Sequence, residues 1–369
     1  MRILSIVPYK VFPAVMGGQK GIALFYKYFS RLVSLNCLTV RENDPEEEYV
    51  IYAQLSNSQI RYINPFLFFK INSLAKQTNR THLLFEHPYY AWLIFLFSLL
   101  TSKKIIVHSH NIESERFKSI GKWWWKILWY YERWAYRRAD RVWFKTNEDK
   151  QYAQLYFHLE TENCFTIPYG IEANQLPEEK ELLACRKQLQ TMYAIQDEEA
   201  ILLFNGTLSY KPNLDALKFI LHDINPLLLK EKLSYKILIC GKGLPPEMNG
   251  LKDSLDKNII YAGFVDDIDL YFKGCDIFIN PLQDGGGIKT KLVEALGFGK
   301  KCVSSANGAI GVDPACTGGR LLVVADKDWQ AYSDGILRMT KQEIADDNKG
   351  FYNIYSWKQI AEKAVRSLS

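Results

Sequence analysis

No CxxC pair occurs anywhere in the 369 residues. The seven cysteines (Cys37, Cys164, Cys185, Cys240, Cys275, Cys302 and Cys316) are odd in number and widely spaced. That excludes a disulfide framework and fits reduced thiols in a cytosolic protein. No apolar run is long enough to cross a bilayer: the longest, Ala91 to Leu100, falls well short of the roughly 20 residues a spanning helix takes. The opening MRILSIVPYKVFP meets Pro8 too early for a signal-peptide apolar region and reads as a first buried strand. Neither sign of charge dominates, since the net charge is +5, so any basic surface must be local. Short-period repeats and low-complexity tracts are absent too. What is present is ordinary globular material, 48% hydrophobic and 24% charged, in a length that suggests two domains.

Short apolar runs recur, each ending in polar or glycine residues. The first series is ILSIVP (3–8), LLFEH (83–87), KIIVHSH (104–110), RVWFKT (141–146) and CFTIPYG (164–170). The second is ILLFNG (201–206), KILICG (236–241), NIIYAG (258–263), DIFINP (276–281), KCVSSA (301–306) and LLVVAD (321–326). Stretches with helical spacing lie between them, such as Asn213 to His222 and Ile288 to Leu296. Continuous apolar strands alternating with helices predict parallel sheets covered on both faces. Two series predict an α/β protein of two doubly wound domains, with a boundary after IPYGIE (167–172). The polar segment 173–200 reads as a linker and one helix. The acidic DPEEE at 44–48 reads as a solvated loop. The closing YSWKQIAEKAVRSLS reads as a helix, with Ser356 and Gln359 spaced as a capping box.

The stretch NPLQDGGGIKTKLVEAL (280–296) concentrates unusual chemistry. Gly285, Gly286 and Gly287 lack side chains, so their amides can approach a ligand closely. The pattern predicts a helix opening at Ile288, whose first amides suit an anion such as a phosphate. Gly287, Lys291 and Glu294 would share one helix face. Lys291 could then reach a phosphate, and Glu294 could accept from the two hydroxyls of a ribose. The alternative is a glycine-rich turn with a solvated Lys–Glu pair.

At this point a resemblance enters. The segment EALGFGKKCVSS (294–305) after the glycine run is similar to the signature of the retaining family 4 glycosyltransferases. FNGTLSYKPNLDALKFI (204–220) resembles the opening of that family's second domain. IPYGIE resembles its interdomain segment, and VHSHNIESERF (107–117) its first-domain histidine loop. MGGQKGIA (16–23) resembles the glycine turn after its first strand, and YSWKQIAEKAV its closing helix. The likeness runs in order along nearly the whole chain. It implies the GT-B fold: two Rossmann-like domains facing a central cleft. The N-terminal, acceptor-side domain would span 1–172, with the helix 355–369 packed back on it. The nucleotide-sugar-binding domain would span 173–354.

The same resemblance implies the site. Glu294 would hold the ribose hydroxyls, Gly285 to Gly287 would line the donor sugar or its phosphates, and Lys291 would help neutralise the diphosphate. Gly17 and Gly18 would let the chain pass close to the diphosphate from the first domain; the alternative there is an ordinary tight turn. His110 would hydrogen-bond the transferred sugar or a nearby phosphate, with His108 able to exchange roles. Catalytic roles thus fall on His110 and Lys291. Donor binding falls on Gly17, Gly18, Gly206, Thr207, Lys211, Gly285, Gly286, Gly287 and Glu294. No metal cofactor is expected, as no DxD pair stands in a loop that would recruit one; a cluster of His108, His110 and Glu113 is a weaker possibility. His87 and Glu86 would touch the acceptor. Two positions depart from the family pattern. Gly286 stands where many relatives have a glutamate, and Thr207, after Gly206, where many have an arginine. Lys211 is the nearest cation that could take that arginine's place. The implied reaction is transfer with retention and no enzyme nucleophile, from a UDP- or GDP-linked sugar to a glycan or lipid-linked acceptor of surface polysaccharide assembly. Nucleic acid is not an expected partner.

One further stretch, residues 116–143, holds Trp123, Trp124, Trp125, Trp129 and Trp134 among Lys122, Lys126, Arg133, Arg137, Arg138 and Arg141. Tryptophan with basic residues suits an anionic membrane surface; the alternative is a core helix. The competing functions for the chain are a catalytically silent homologue that binds a glycan or scaffolds an assembly, and a sugar-nucleotide epimerase of the same fold.

Overall fold

The computed structural model describes every residue except 15, 16, 44–47, 346 and 369, and leaves the side chains of 255 and 256 undescribed. The acidic loop therefore lies outside the described residues apart from Glu48, an exposed partner of Arg31. The chain divides into two compact units. The first holds Met1–Glu172 with Gly286–Ile288 and Trp357–Ser369; the second holds Ala173–Gly285 and Lys289–Ser356.

In the first unit the strands are β1 (Arg2–Val7), β2 (Ser34–Val40), β3 (Val50–Leu55), β4 (His82–Glu86), β5 (Lys104–Ser109), β6 (Arg141–Phe144) and β7 (Cys164–Thr166). They form one parallel sheet in the order β3-β2-β1-β4-β5-β6-β7. In the second they are β8 (Ala200–Asn205), β9 (Tyr235–Cys240), β10 (Ile259–Gly263), β11 (Ile277–Asn280), β12 (Lys301–Ser305) and β13 (Leu321–Val324). Their sheet is also parallel, in the order β10-β9-β8-β11-β12-β13. The central strands are apolar on both faces because helices cover both. Ile3, Leu4, Ile6 and Val7 of β1 and Ile201, Leu202 and Leu203 of β8 are wholly buried. Each strand order reverses once, between β1 and β4 and between β8 and β11. Those switch points are where connections leave in opposite directions and a crevice opens at the strand C-termini.

Every apolar run read as a strand is one. The reading missed β2, whose run is interrupted by the buried Asn36 and Thr39, and β3, an edge strand that stays largely accessible. Other boundaries moved. The helix after the glycine run spans Thr290–Gly297, so it opens two residues later than Ile288. Gly17 and Gly18 open the helix Gly17–Phe29 and do not form a tight turn. The stretch 116–143 is not one helix: Glu113–Ser119 and Trp125–Tyr136 flank a break at Gly121, which has φ 75°. The closing helix, Trp357–Arg366, buries Trp357, Ile360, Ala361 and Ala364, one face at helical spacing. It packs on Gly17–Phe29, with Trp357 against Phe25, and the Trp357 amide donates to the Ile171 carbonyl at 2.9 Å.

Candidate active site

In the second unit the switch point lies between the ends of β8 and β11. Lys291, in the first turn of its helix, turns back to this point and donates from Nζ to the carbonyl of Asn205, the last residue of β8, at 2.9 Å. A neutral carbonyl is a weak partner for an ammonium group. Burial pushes the Lys291 pKa down to about 8, against the pull of Glu294 on the same helix. The side-chain Oδ1 of Asn205 is buried without a hydrogen bond. A cation whose hydrogen-bond partner is a neutral carbonyl, at a switch point, is an arrangement that an anion would complete; the Asn205 amide oxygen, an acceptor, would instead take a donor such as a hydroxyl.

The glycines sit in coil before that helix. Gly285 (φ 101°) and Gly287 (φ 70°) take conformations that side chains resist. A side chain on Gly285 would face Tyr210 and Pro212, which follow β8, whereas one on Gly286 or Gly287 would face Asn111, within the first unit. The amides nearest the helix start are those of Thr290 and Lys291, since Leu292 and Val293 already donate to the Lys289 carbonyl. Gly287 is outside the helix, so the expected face shared by Gly287, Lys291 and Glu294 reduces to Lys291 and Glu294.

Gly206 has a packing reason to be glycine: a Cβ there would lie 2.8 Å from the Asn213 side chain. Thr207 is exposed, and its carbonyl accepts from Asn213 Nδ2 at 2.9 Å. Lys211 is exposed and ion-paired with Asp215, one turn along its helix. The chain also carries two literal D-x-D spacings. Asp267 of Asp267/Asp269 caps a helix through the amides of Asp269 and Leu270. In the pair Asp326/Asp328, Asp326 accepts from the Asn307 amide and Asp328 caps the helix Trp329–Lys341.

In the first unit the switch point is marked by Glu86, the last residue of β4, which is wholly buried. Its Oε1 accepts from Tyr26 Oη at 2.6 Å and faces His108 Nδ1 at 3.1 Å; its Oε2 faces His110 Nε2 at 2.6 Å. Burial opposes the charge on Glu86, but the histidine contacts outweigh it and hold the carboxyl well below its ordinary range. His108 is wholly buried, and burial pushes its pKa down to about 3, so it is neutral. His110 alone of that pair keeps some side-chain exposure, 14%. His108 is therefore the less accessible of the two rings. Lys145, fully buried and without a hydrogen bond at Nζ, is pushed down to about 8 by burial, with Glu86 pulling the other way.

His87 follows Glu86 with φ 62°, a strained conformation for a non-glycine residue. Its ring stacks on His110 (centroids 4.3 Å) and on Tyr89 (4.8 Å). Glu113 is not part of a His108–His110 cluster: its carboxylate pairs with Arg116, and its Oε1 lies 3.6 Å from His87 Nδ1. Among the described residues the atoms with metal-ligand proximity are those of Glu86, His108 and His110. They already bond to one another and would hold an ion only by giving those bonds up. Sequence reasoning placed Glu86 against the acceptor; its hydrogen bond to His110 was invisible because the two residues lie on different strands. Gly18 borders open space, as a Cβ there would meet nothing within 4 Å.

Two family models match the chain: Glycosyltransferase Family 4 over residues 17–175 and Glycosyl transferases group 1 over residues 199–342. Together they account for most of its length, and the chain belongs to the group 1, family 4 glycosyltransferases. Among curated relatives, an uncharacterized 44.6 kDa protein in the cps region of Klebsiella pneumoniae is 28% identical over 42% of this chain. The alpha-monoglucosyldiacylglycerol synthase of Streptococcus pneumoniae is 30% identical over 31%. The matched parts span only 41% and 26% of those relatives. Among solved structures, Anabaena HepE in complex with UDP superposes with a TM-score of 0.73 at 15% identity, covering 100% of this chain and 99% of that one. Sucrose-phosphate synthase from Thermosynechococcus elongatus does so with a TM-score of 0.73 at 13% identity, covering 99% and 98%. At such identities the likeness shows the fold, which is GT-B.

Proposed function

We propose that this glycosyltransferase moves a sugar from a UDP- or GDP-linked donor, with retention, to a glycan or lipid-linked acceptor in surface polysaccharide assembly. The observation that carries the reading is the half-satisfied Lys291 at the β8–β11 switch point. Departure of a nucleoside diphosphate builds negative charge, and a cation with nearby free amides stabilises it. Glu294 accepts from the ribose hydroxyls, and Gly285 to Gly287 admit the donor sugar or its phosphates to the backbone. Gly17, Gly18, Gly206, Thr207 and Lys211 border the donor, and His110 meets the transferred sugar. The leaving diphosphate oxygen takes the acceptor proton on the same face, so no side chain need form a covalent intermediate. No metal has a role in this scheme.

The relatives' names support the substrate class. One is named for a cps region, one as an alpha-monoglucosyldiacylglycerol synthase, and HepE was crystallised with UDP and UDP-glucose. A thermal-shift panel of UDP, GDP and their sugars tests the reading: at least one raises Tm. If none does, the alternative of a silent glycan-binding homologue, favoured by Gly286 and Thr207, and further by Lys211 being paired with Asp215, replaces it.

An anionic membrane surface is the proposed docking partner. No helix among the described residues is long and apolar enough to cross a membrane. Trp123 (83% exposed), Ile127 and Tyr130 project from the region 116–143. Phe95 links this region to the neighbouring helix Ala91–Leu100 through Trp134, and Phe97 links that helix to Phe66–Gln77 through Phe68. Phe66 (75%) and Phe69 are exposed on that third helix. The region 116–143 also carries Lys118, Lys122 and Lys126. Co-sedimentation with vesicles containing anionic lipid checks this: binding at low salt is expected, and its absence removes the membrane from the scheme.

A further inference from the structure

This inference rests on the reading that His110 meets the donor, and it concerns what His110 can offer it. Glu86 Oε2 has His110 Nε2 as its partner, and the Nδ1 of His110 makes no hydrogen bond among the described residues. The ring is clamped besides, stacked on His87, which is itself stacked on Tyr89 and met edge-on by Tyr9 at 5.7 Å. We propose that Glu86 is a positioning residue that fixes a proton on His110 Nε2, so that Nδ1 is a bare acceptor that receives a sugar hydroxyl and cannot donate to a phosphate oxygen.

The argument is one of donors and acceptors. Glu86 is sealed from water, and its Oε1 already takes Tyr26 Oη–H and His108 Nδ1–H. The remaining question is which atom holds the proton in the contact between Oε2 and Nε2. Carboxylates are ordinarily about two pKa units more acidic than imidazole, so the proton belongs on nitrogen. Buried Lys145 reinforces that choice, because its charge favours an anionic Glu86. In neutral imidazole one nitrogen donates and the other accepts, so a proton on Nε2 empties Nδ1. The strained backbone at His87 places this stack directly after Glu86, at the switch point of the sheet.

The test is the substitution Glu86→Gln. A glutamine has one acceptor and one donor face. With its oxygen kept towards Tyr26 and His108, its amide group faces His110 and requires an acceptor there. We expect ¹⁵N imidazole spectra at a pH of about 8, above the ordinary imidazole range, to show the His110 proton on Nε2 in wild type and on Nδ1 in Glu86→Gln. His110→Asn assigns the signals. The kcat for transfer should fall about ten- to a hundredfold, the scale for losing a partner that orients a histidine, with the donor KM changed by no more than about threefold. A wild-type proton on Nδ1, no tautomer change in Glu86→Gln, or kcat held within about threefold of wild type overturns the proposal. A cation among Glu86, His108 and His110, bound at His110 Nε2, would give that first outcome, a proton on Nδ1. If Glu86→Gln does not fold, the wild-type spectrum decides alone. The spectra need no turnover, so failure of the glycosyltransferase reading would appear separately, as absent thermal shifts and absent transfer.

Discussion

At the end of β4 a buried anion, Glu86, is surrounded by three side-chain donors. Beside the end of β8 a largely buried cation, Lys291, has one hydrogen-bond partner among the described residues, a neutral carbonyl, with Glu294 acting from the same helix. Each unit is built on a parallel sheet, and both charges lie by a switch point, Glu86 at a strand end and Lys291 on the helix after β11. Their electrostatics differ in completeness. A satisfied charge costs little to keep and is rigid, so it suits the holding of another side chain. An unsatisfied charge is destabilising until a ligand of opposite sign arrives, so it suits binding. A third buried group, Glu132, lies between the extremes. Its carboxyl receives the amides of Glu113 and Ser114 and thereby caps the helix Glu113–Ser119, and burial pushes its pKa up to about 7.

This contrast can be broken most directly at Lys291. Lys291→Ala should reduce transfer by about 10²- to 10³-fold, the scale for losing one preorganised stabiliser of a developing anion, measured as initial rate at saturating donor. Near wild-type turnover would show that the cation is merely structural. Glu294→Ala should weaken nucleotide binding by about ten- to a hundredfold, the scale for hydrogen bonds to a charged group, read by calorimetry. Proton linkage sharpens the comparison further. Free Lys291 loses its proton near pH 8, and a bound diphosphate favours the charged form. Nucleotide affinity should therefore be full below pH 8 and fall by up to about tenfold per unit above it. Lys291→Arg should abolish that fall, because guanidinium stays charged. The smallest effect is expected at Glu132. Its folded carboxyl keeps a proton up to about pH 7, whereas the unfolded one releases it near 4.5. Stability should accordingly decline as pH rises between those values. Glu132→Gln should flatten the Tm profile in that window, and Glu132→Ala should cost about 1–3 kcal/mol at low pH through the lost cap.

Legibility in the sequence followed the physics of each element. Central strands announce themselves because both faces are buried, and every run such as ILSIVP or ILLFNG became a strand. β3 did not, because an edge strand needs no continuous apolar run. The glycine run was legible as the break before a helix, but the helix start was misplaced: Gly285 and Gly287 adopt positive φ, which delays the helix to Thr290. Lys211 was a candidate cation by proximity in sequence, yet Asp215 one turn away engages it. Glu113 was a plausible partner of His108 and His110 by the same logic, whereas the carboxylate that reaches them, Glu86, comes from the neighbouring strand.

The sequence by itself determined two parallel sheets, the strands in their cores, and a glycine segment followed by a helix carrying Lys291 and Glu294. Those features follow from local pattern: burial on two faces, freedom at glycine, and helical spacing. The tertiary structure alone decided which charges find partners. Glu86 meets His108, His110 and Tyr26, while Lys291 donates to the Asn205 carbonyl, because strand order brings together residues distant in the chain, and pairing depends on that distance in space.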